Sequence, residues 1–332
     1  MLLRDRFGRV IEYLRISVTE RCNMCCVYCV APENRGYEPR EHLLTFEEIA
    51  EIVRVLARHG LRRVRITGGE PLVRPHVPEL VRLLAQIPGI TDISLSTNGI
   101  LLPRYADALK RNGLKRVNIS LDTLQPQKFH RVSPAGQWEE VWAGIQTALA
   151  VGLKPVKINC VLMKGINDDE VVDFARLTLE YPLHVRFIEL MPIGNIGFYR
   201  RGHLFPIGEA KARCAQLGEL IPVTEGEAVG GGPASVFRLP GAQGTLGFIG
   251  ACTANFCHRC NRMRLSSDGL LYPCLGHGVH VDMKPALKLS PDQREQAIME
   301  GIEQALLSKP EGHQFVTLAP HPTFRTMRVI GG

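Results

Sequence analysis

Cys22, Cys26 and Cys29 stand at C-x3-C-x2-C spacing near the front of the chain, and Cys257, Cys260 and Cys274 form a second triplet near its end. Thiolates bind iron–sulfur clusters and zinc, and each triplet is one ligand short of a closed four-ligand site. Three protein ligands leave one coordination position for something else. In the front loop, Arg21-Cys22-Asn23-Met24-Cys25-Cys26-Val27-Tyr28-Cys29, one tight turn can aim three thiolates at a cubane cluster and leave the fourth iron without a cysteine. Cys25 keeps C-x2-C pairings and a zinc knuckle open as alternatives. At the back, Asp268-Gly269 suits a hairpin turn that brings Cys274 to face Cys257 and Cys260. There Cys274-Leu275-Gly276-His277 offers a histidine that would complete a tetrahedral Cys3His zinc ribbon. On spacing alone, zinc and an open cluster stand level at this site.

Such residues need elements to position them. Short β-branched runs read as strands over Arg15 to Thr19, Val64 to Thr67, Asp92 to Thr97, Val117 to Leu121, Val156 to Leu162 and His184 to Leu190. Amphipathic segments lie between, with a capping box at Thr45 and Glu48 and C′ glycines at Gly60, Gly113 and Gly152. Six strand-then-helix repeats require parallel strands with right-handed crossovers. A doubly wound nucleotide fold wants a glycine fingerprint after its first strand, and the cysteine loop occupies that position. The reading is therefore α/β, an incomplete (β/α)6 barrel with ligands at the C-terminal strand ends. After about residue 195 the rhythm fails, and the glycine-rich residues 224–247 read as a loop or irregular hairpin region. The expected division is 1–223 for the barrel and 224–332 for a C-terminal extension closing its mouth.

With Tyr28 just before its last cysteine, the front loop resembles the radical S-adenosylmethionine (SAM) enzymes. That family holds a 4Fe-4S cluster on a C-x3-C-x-aromatic-C loop, with SAM on the open iron. Thr67-Gly68-Gly69-Glu70-Pro71, one strand later, resembles its GGEP segment, which contacts the SAM amino group. The third and fourth strands end in Ser96-Thr97-Asn98-Gly99 and Ser120-Leu121-Asp122, polar caps that singly read as turns or N-caps. The sixth ends in Glu189-Leu190-Met191-Pro192, where the family packs a methionine on the SAM adenine. The resemblance thus implies SAM contacts at Tyr28, Gly69, Glu70, Ser120 and Met191.

Cys257-His258-Arg259-Cys260-Asn261-Arg262-Met263-Arg264-Leu265, then Ser267-Asp268-Gly269, then Cys274, is similar to the GTP 3′,8-cyclases of molybdenum-cofactor biosynthesis. The likeness runs from Arg15 to Ile330-Gly331-Gly332. It implies a second three-cysteine 4Fe-4S cluster that holds guanine, and a Gly331-Gly332 tail reaching the active site. A triphosphate at the barrel mouth needs fixed cations, and Arg63, Arg65, Lys157 and Arg186 suit that need. Arg15, Arg262 and Arg264 match family arginines that touch substrate and act in turnover. Ser96, Asn98 and Met263 complete the implied GTP contacts. The implied chemistry is SAM cleavage to a 5′-deoxyadenosyl radical, hydrogen abstraction at C3′ of GTP and closure onto C8. A low-potential flavodoxin or ferredoxin would supply electrons, and a downstream cyclic pyranopterin monophosphate synthase would take the product.

Composition agrees with an enzyme. The 332 residues are 45% hydrophobic, enough for one large domain plus an extension. No signal-peptide-like run and no stretch of about 18 apolar residues appears, so a cytoplasmic protein with reduced thiols and no membrane partner is expected. Cys160, Cys214 and Cys252 read as small buried apolar side chains. The net charge of +7 suits an acidic substrate, nucleic acid or a solvated basic face. Two alternatives are a radical SAM peptide-maturing enzyme, whose auxiliary clusters use more cysteines, and a zinc-ribbon RNA-binding protein. The second leaves the front triplet and GGEP turn unexplained, and two tryptophans are few for base stacking. No nucleic-acid partner is therefore expected, and base rate favours a homodimer.

Overall fold

A computed structural model describes residues 2–29, 39–199, 202–224, 231–313, 315 and 327–331. Among them, twelve strands form one sheet: β1 (Tyr13–Ser17), β2 (Arg63–Thr67), β3 (Asp92–Thr97), β4 (Arg116–Ser120), β5 (Val156–Leu162), β6 (Leu183–Glu189), β7 (Ile221–Pro222), β8 (Ser235–Arg238), β9 (Thr245–Ile249), β10 (Arg262–Leu265), β11 (Leu270–Tyr272) and β12 (Val281–Asp282). Their order is β12-β11-β10-β1-β2-β3-β4-β5-β6-β9-β8-β7. Strands β1 to β6 pair in parallel in chain order, as the strand-helix rhythm predicts. Among the described residues no hydrogen bonds join the outer strands, so the barrel is incomplete.

Strand residues alternate sharply. Leu14, Ile16, Val64, Ile66, Ile93, Leu95, Val117, Ile119, Val185 and Phe187 are buried in one hydrophobic core with the helices. Helix Phe46–Arg58 contributes Ile49, Ile52, Val53 and Leu56 to that layer, each worth ~1.5 to 3 kcal/mol of burial. Its capping box forms as expected, with Glu48 N donating to Thr45 Oγ1 at 3.1 Å and Thr45 N to Glu48 Oε2 at 2.7 Å. Because side chains alternate across a strand, the residues between the apolar ones face the concave side. Registers put Arg15 beside Arg65, Arg65 beside Ser94 and Ser94 beside Arg116.

The first strand runs Tyr13–Ser17 rather than Arg15 to Thr19. Thr19 O instead accepts from Gly69 N at 2.8 Å, and Arg21 O from Glu70 N at 2.8 Å, so the cysteine loop's base docks on the glycine turn. In the region 224–247, expected to be a loop or irregular hairpin, the described residues form hairpin pairing: β8 pairs antiparallel with β7 and β9, and β9 adds parallel to β6. On the other edge β10 adds parallel to β1, and Asp268-Gly269 turns it into antiparallel β11, with Gly269 at φ 91°. Residues after β6 thus extend both edges of the sheet.

Candidate functional site

Two cavities occupy the polar face. The first, about 430 Å³, lies at the C-terminal strand ends, with Cys22, Cys26, Cys29, Tyr28, Gly69, Ser96, Asn98, Ser120 and Met191 in its wall. The front triplet and most residues expected to touch SAM therefore meet in one place. The second, about 720 Å³, lies at the N-terminal ends. Arg63 opens β2 and Arg262 opens β10, while Lys157 and His184 are second in β5 and β6. The two cavities share strand faces: β2 gives Arg63 to one and Thr67 to the other, and β5 gives Lys157 to one and Asn159 and Val161 to the other. Four residues at ~3.3 Å each separate the two ends by about 13 Å. The phosphate-binding candidates Arg63, Lys157 and Arg186 thus stand at the end opposite the front triplet rather than at the mouth. Their early strand positions dictate this.

The front loop is pinned on several sides. Tyr28 donates to Asp122 Oδ2 at 2.8 Å, and Asp122 Oδ1 accepts from Val161 N at 2.8 Å. Asn98 Nδ2 donates to Asn23 Oδ1 at 2.7 Å, which makes Asn98 a support of the cysteine loop. A Cβ on Gly69 would meet Arg21 O and Glu20 O at 2.5 Å, so only glycine allows that approach. Glu70 does not line the cavity. It is fully buried and accepts from Leu72 N, Thr97 Oγ1 and Asn98 N, bracing the ends of β2 and β3. Burial raises its pKa to about 7.

Electrostatics separate the triplets. Burial pushes the Cys22 thiol up to about 12 and the Cys29 thiol to about 11, so these sulfurs are poor thiolates unless a metal binds them and displaces the proton to solvent. Burial also raises Cys260, but the Arg262 and Lys309 cations outweigh it and bring that thiol to about 7. Burial raises the Cys274 thiol, and Cys260 and Cys257 are near enough to add to the rise. Among the described residues, no three His, Cys, Asp or Glu side chains gather as one metal ion requires. The front wall suits a cluster with SAM: Ser96 Oγ and Asn159 Oδ1 are buried without a protein partner beside three thiols.

Arg15, Arg65, Arg264 and Arg186 lie along the same face, all desolvated. Burial lowers each, Arg264 to about 10 and Arg186 to about 9, and neighbouring cations add to the fall. Arg65 Nε donates to Ser94 Oγ at 3.2 Å, with its guanidinium 5.4 Å from the Tyr13 ring centre. Met263 departs from this group, because alternation sends its side chain into the hydrophobic core. The tail reaches the site: Met327 and Arg328 wall the front cavity, and Arg264 Nη1 donates to Gly331 O and, at 3.3 Å, to Ile330 O. A Cβ on Gly331 would strike Thr67 Cγ2. Gly332 lies outside the described residues.

Sequence reading missed Asp122 as a site residue, and also His184, Arg238 and Arg259 in the rear cavity wall, Arg116, Arg9 and Lys309. Period-two alternation marks Arg116 and His184, since both fall on the polar face of apolar strands. Lys309 and Arg9 carry no local pattern.

Comparison with known proteins gives the family. Residues 16–178 match the radical SAM superfamily, and residues 183–315 match the family described as Molybdenum Cofactor Synthesis C. A GTP 3′,8-cyclase of Pelotomaculum thermopropionicum is 47% identical, covering 99% of this chain and 100% of the relative. One from Moorella thermoacetica is 46% identical at 99% and 100% coverage, and one from Listeria monocytogenes is 42% identical at 100% and 99%. Among solved structures, Streptococcus suis SuiB bound to S-adenosylmethionine aligns with TM-score 0.60 and 16% identity, over 81% of this chain but only 61% of that one. SuiB bound to its precursor peptide aligns with TM-score 0.59 and 16% identity, over 92% and 72%. The last two show a shared fold, whereas near-complete coverage at over 40% identity reaches further: the chain belongs to the radical SAM superfamily and, within it, to the GTP 3′,8-cyclase family.

Proposed function

We infer that the protein is a lyase converting GTP to (8S)-3′,8-cyclo-7,8-dihydroguanosine 5′-triphosphate, the first step of molybdenum-cofactor biosynthesis. The observation that carries this reading is a row of buried cations along the strand faces, with the front triplet in the cavity at their C-terminal ends and Arg259 and Arg262, which flank Cys260, in the wall of the cavity at their N-terminal ends. When bound, the front cluster would supply the electron for reductive cleavage of SAM, the chemistry that abstracts hydrogen at C3′ of the ribose. Cys22, Cys26 and Cys29 would hold that cluster, while Tyr28, Gly69, Ser96, Ser120 and Met191 would shape the SAM seat. Cys257, Cys260 and Cys274 would hold the second cluster, whose open iron would receive the guanine. Arg63, Lys157 and Arg186, joined by Arg238 and Arg259, would offset the triphosphate charge through charge-assisted hydrogen bonds. Arg15, Arg262 and Arg264 would fix the nucleoside between the clusters and stabilise charge during ring closure. The tail from Met327 to Gly331 would exclude water from the front cavity.

A low-potential flavodoxin or ferredoxin would reduce the front cluster, and a cyclic pyranopterin monophosphate synthase would consume the product. Reduced thiols suit a cytoplasmic location, and a homodimer is the proposed assembly; no helix among the described residues is long and apolar enough to cross a membrane. Calorimetric titration of the anaerobic protein with GTP, ATP and guanosine tests the nucleotide assignment. Adenine leaves guanine-directed donors unpaired at ~1 to 3 kcal/mol per group, so ATP should bind roughly tenfold to a hundredfold more weakly. Equal affinity for GTP and ATP would overturn the reading.

A further inference from the structure

Lys309 and Arg9 lie outside every motif that marks the site, yet both are buried against the back triplet. Lys309 follows helix Pro291–Leu307 and is 1% exposed. Its ammonium donates to Arg262 O at 2.8 Å and to Pro273 O, and stands 3.8 Å from Cys260 Sγ. One cation therefore ties the segment carrying Cys260 to the segment carrying Cys274 and touches a ligand sulfur as well. Arg9 serves the remaining ligand segment. Its Nη1 donates to Cys257 O and Glu311 O, both at 2.8 Å, and Nη2 to Pro310 O at 2.6 Å, while Asp5 fixes Nε at 2.6 Å.

Arg9 thus has its own carboxylate, and Lys309 does not: among the described residues its partners are two carbonyls and a sulfur. A buried ammonium is costly without countercharge, and the sulfur it touches, Cys260 Sγ, is the group on which a ligand's negative charge would stand. Hydrogen bonds and charge at ligand sulfurs set both retention and reduction potential of a cluster. We propose that Lys309 is a positioning residue of the second cluster, holding two of its ligand segments in register and favouring its reduced, more negative state. Arg9 locks the third ligand's segment to the same stretch, residues 309–311. The inference rests on the reading that the back triplet binds a cluster.

The test uses full-length protein reconstituted without oxygen, as wild type, Lys309→Met and Lys309→Arg. Iron content and a redox titration followed by electron paramagnetic resonance are measured. Lys309→Met should lower the second cluster's potential enough to change its oxidised-to-reduced ratio at least tenfold at fixed poise, about 59 mV for one electron. Lys309→Arg should recover part of that shift, and the first cluster should not move. Loss of the second cluster's iron alone, with SAM cleavage by the first retained, equally supports the proposal. An unchanged potential with both clusters present overturns it, as does loss of both clusters together. Wild-type protein holding the iron of a single cluster would instead remove the reading beneath the proposal.

Discussion

Lys157 enters the lumen among Arg186, Arg116 and Arg65, and burial followed by those cations lowers its pKa to about 5. Before substrate binds, the Lys157 amine is therefore neutral at pH 7. A triphosphate reverses the local potential and favours the ammonium, so the bound pKa lies above the free one. The contribution of this charge to GTP affinity is then complete below the free value and is lost as pH rises through the bound value. GTP binding at pH 7 should take up about one proton, seen as a dependence of calorimetric heat on buffer ionisation enthalpy. Lys157→Met should abolish most of that uptake and weaken GTP more than guanosine. Uptake unchanged in the variant would remove Lys157 from the phosphate site. His184, lowered to about 4 by burial and by Lys157, stays neutral beside it and accepts or donates through Thr245 Oγ1 at 2.6 Å.

Among the elements, the front loop depends on a turn one strand away. Since Gly69 approaches Arg21 O and Glu20 O where a Cβ would stand at 2.5 Å, Gly69→Ala should displace the cysteine loop. A shift of about 1 Å at a reacting centre costs roughly a hundredfold, so 5′-deoxyadenosine formation should fall by that order while the second cluster's iron is kept. Wild-type cleavage in Gly69→Ala would show the contact to be slack. These dependencies were partly legible from sequence. The first six strands announce themselves because β-branched runs alternate with capped helices, and the register follows from βα order. β9 and β10 do not, since each joins the sheet by pairing with a strand distant in sequence. The same non-local pairing hides the rear cavity: Arg238 and Arg259 meet Arg63 and Lys157 only because both open edges converge on it. Cysteine spacing reveals the triplets but not Lys309, which reaches Cys260 across 49 residues.

Across the whole molecule, the two triplets share no ligand: the front one lines the cavity at the C-terminal strand ends, whereas Arg259 and Arg262, on either side of Cys260, line the cavity at the N-terminal ends. Cys22→Ala should therefore remove one cluster's iron and all SAM cleavage while leaving the second cluster spectroscopically intact. Cys274→Ala should do the converse, keeping SAM cleavage but losing nucleotide cyclisation. Stoichiometric zinc in place of the second cluster would refute the division. The cationic lumen between the cavities, built from alternate strand residues, would suit an anion where most barrels pack apolar layers. The claim that GTP lies in that lumen with its ribose toward the SAM end can be tested by isotope transfer. GTP carrying deuterium at C3′ is incubated anaerobically with SAM, reductant and the reconstituted protein. Mass spectrometry should find the deuterium in 5′-deoxyadenosine, together with a cyclised guanosine triphosphate that has lost it. Unlabelled 5′-deoxyadenosine beside GTP that keeps its deuterium would contradict the account.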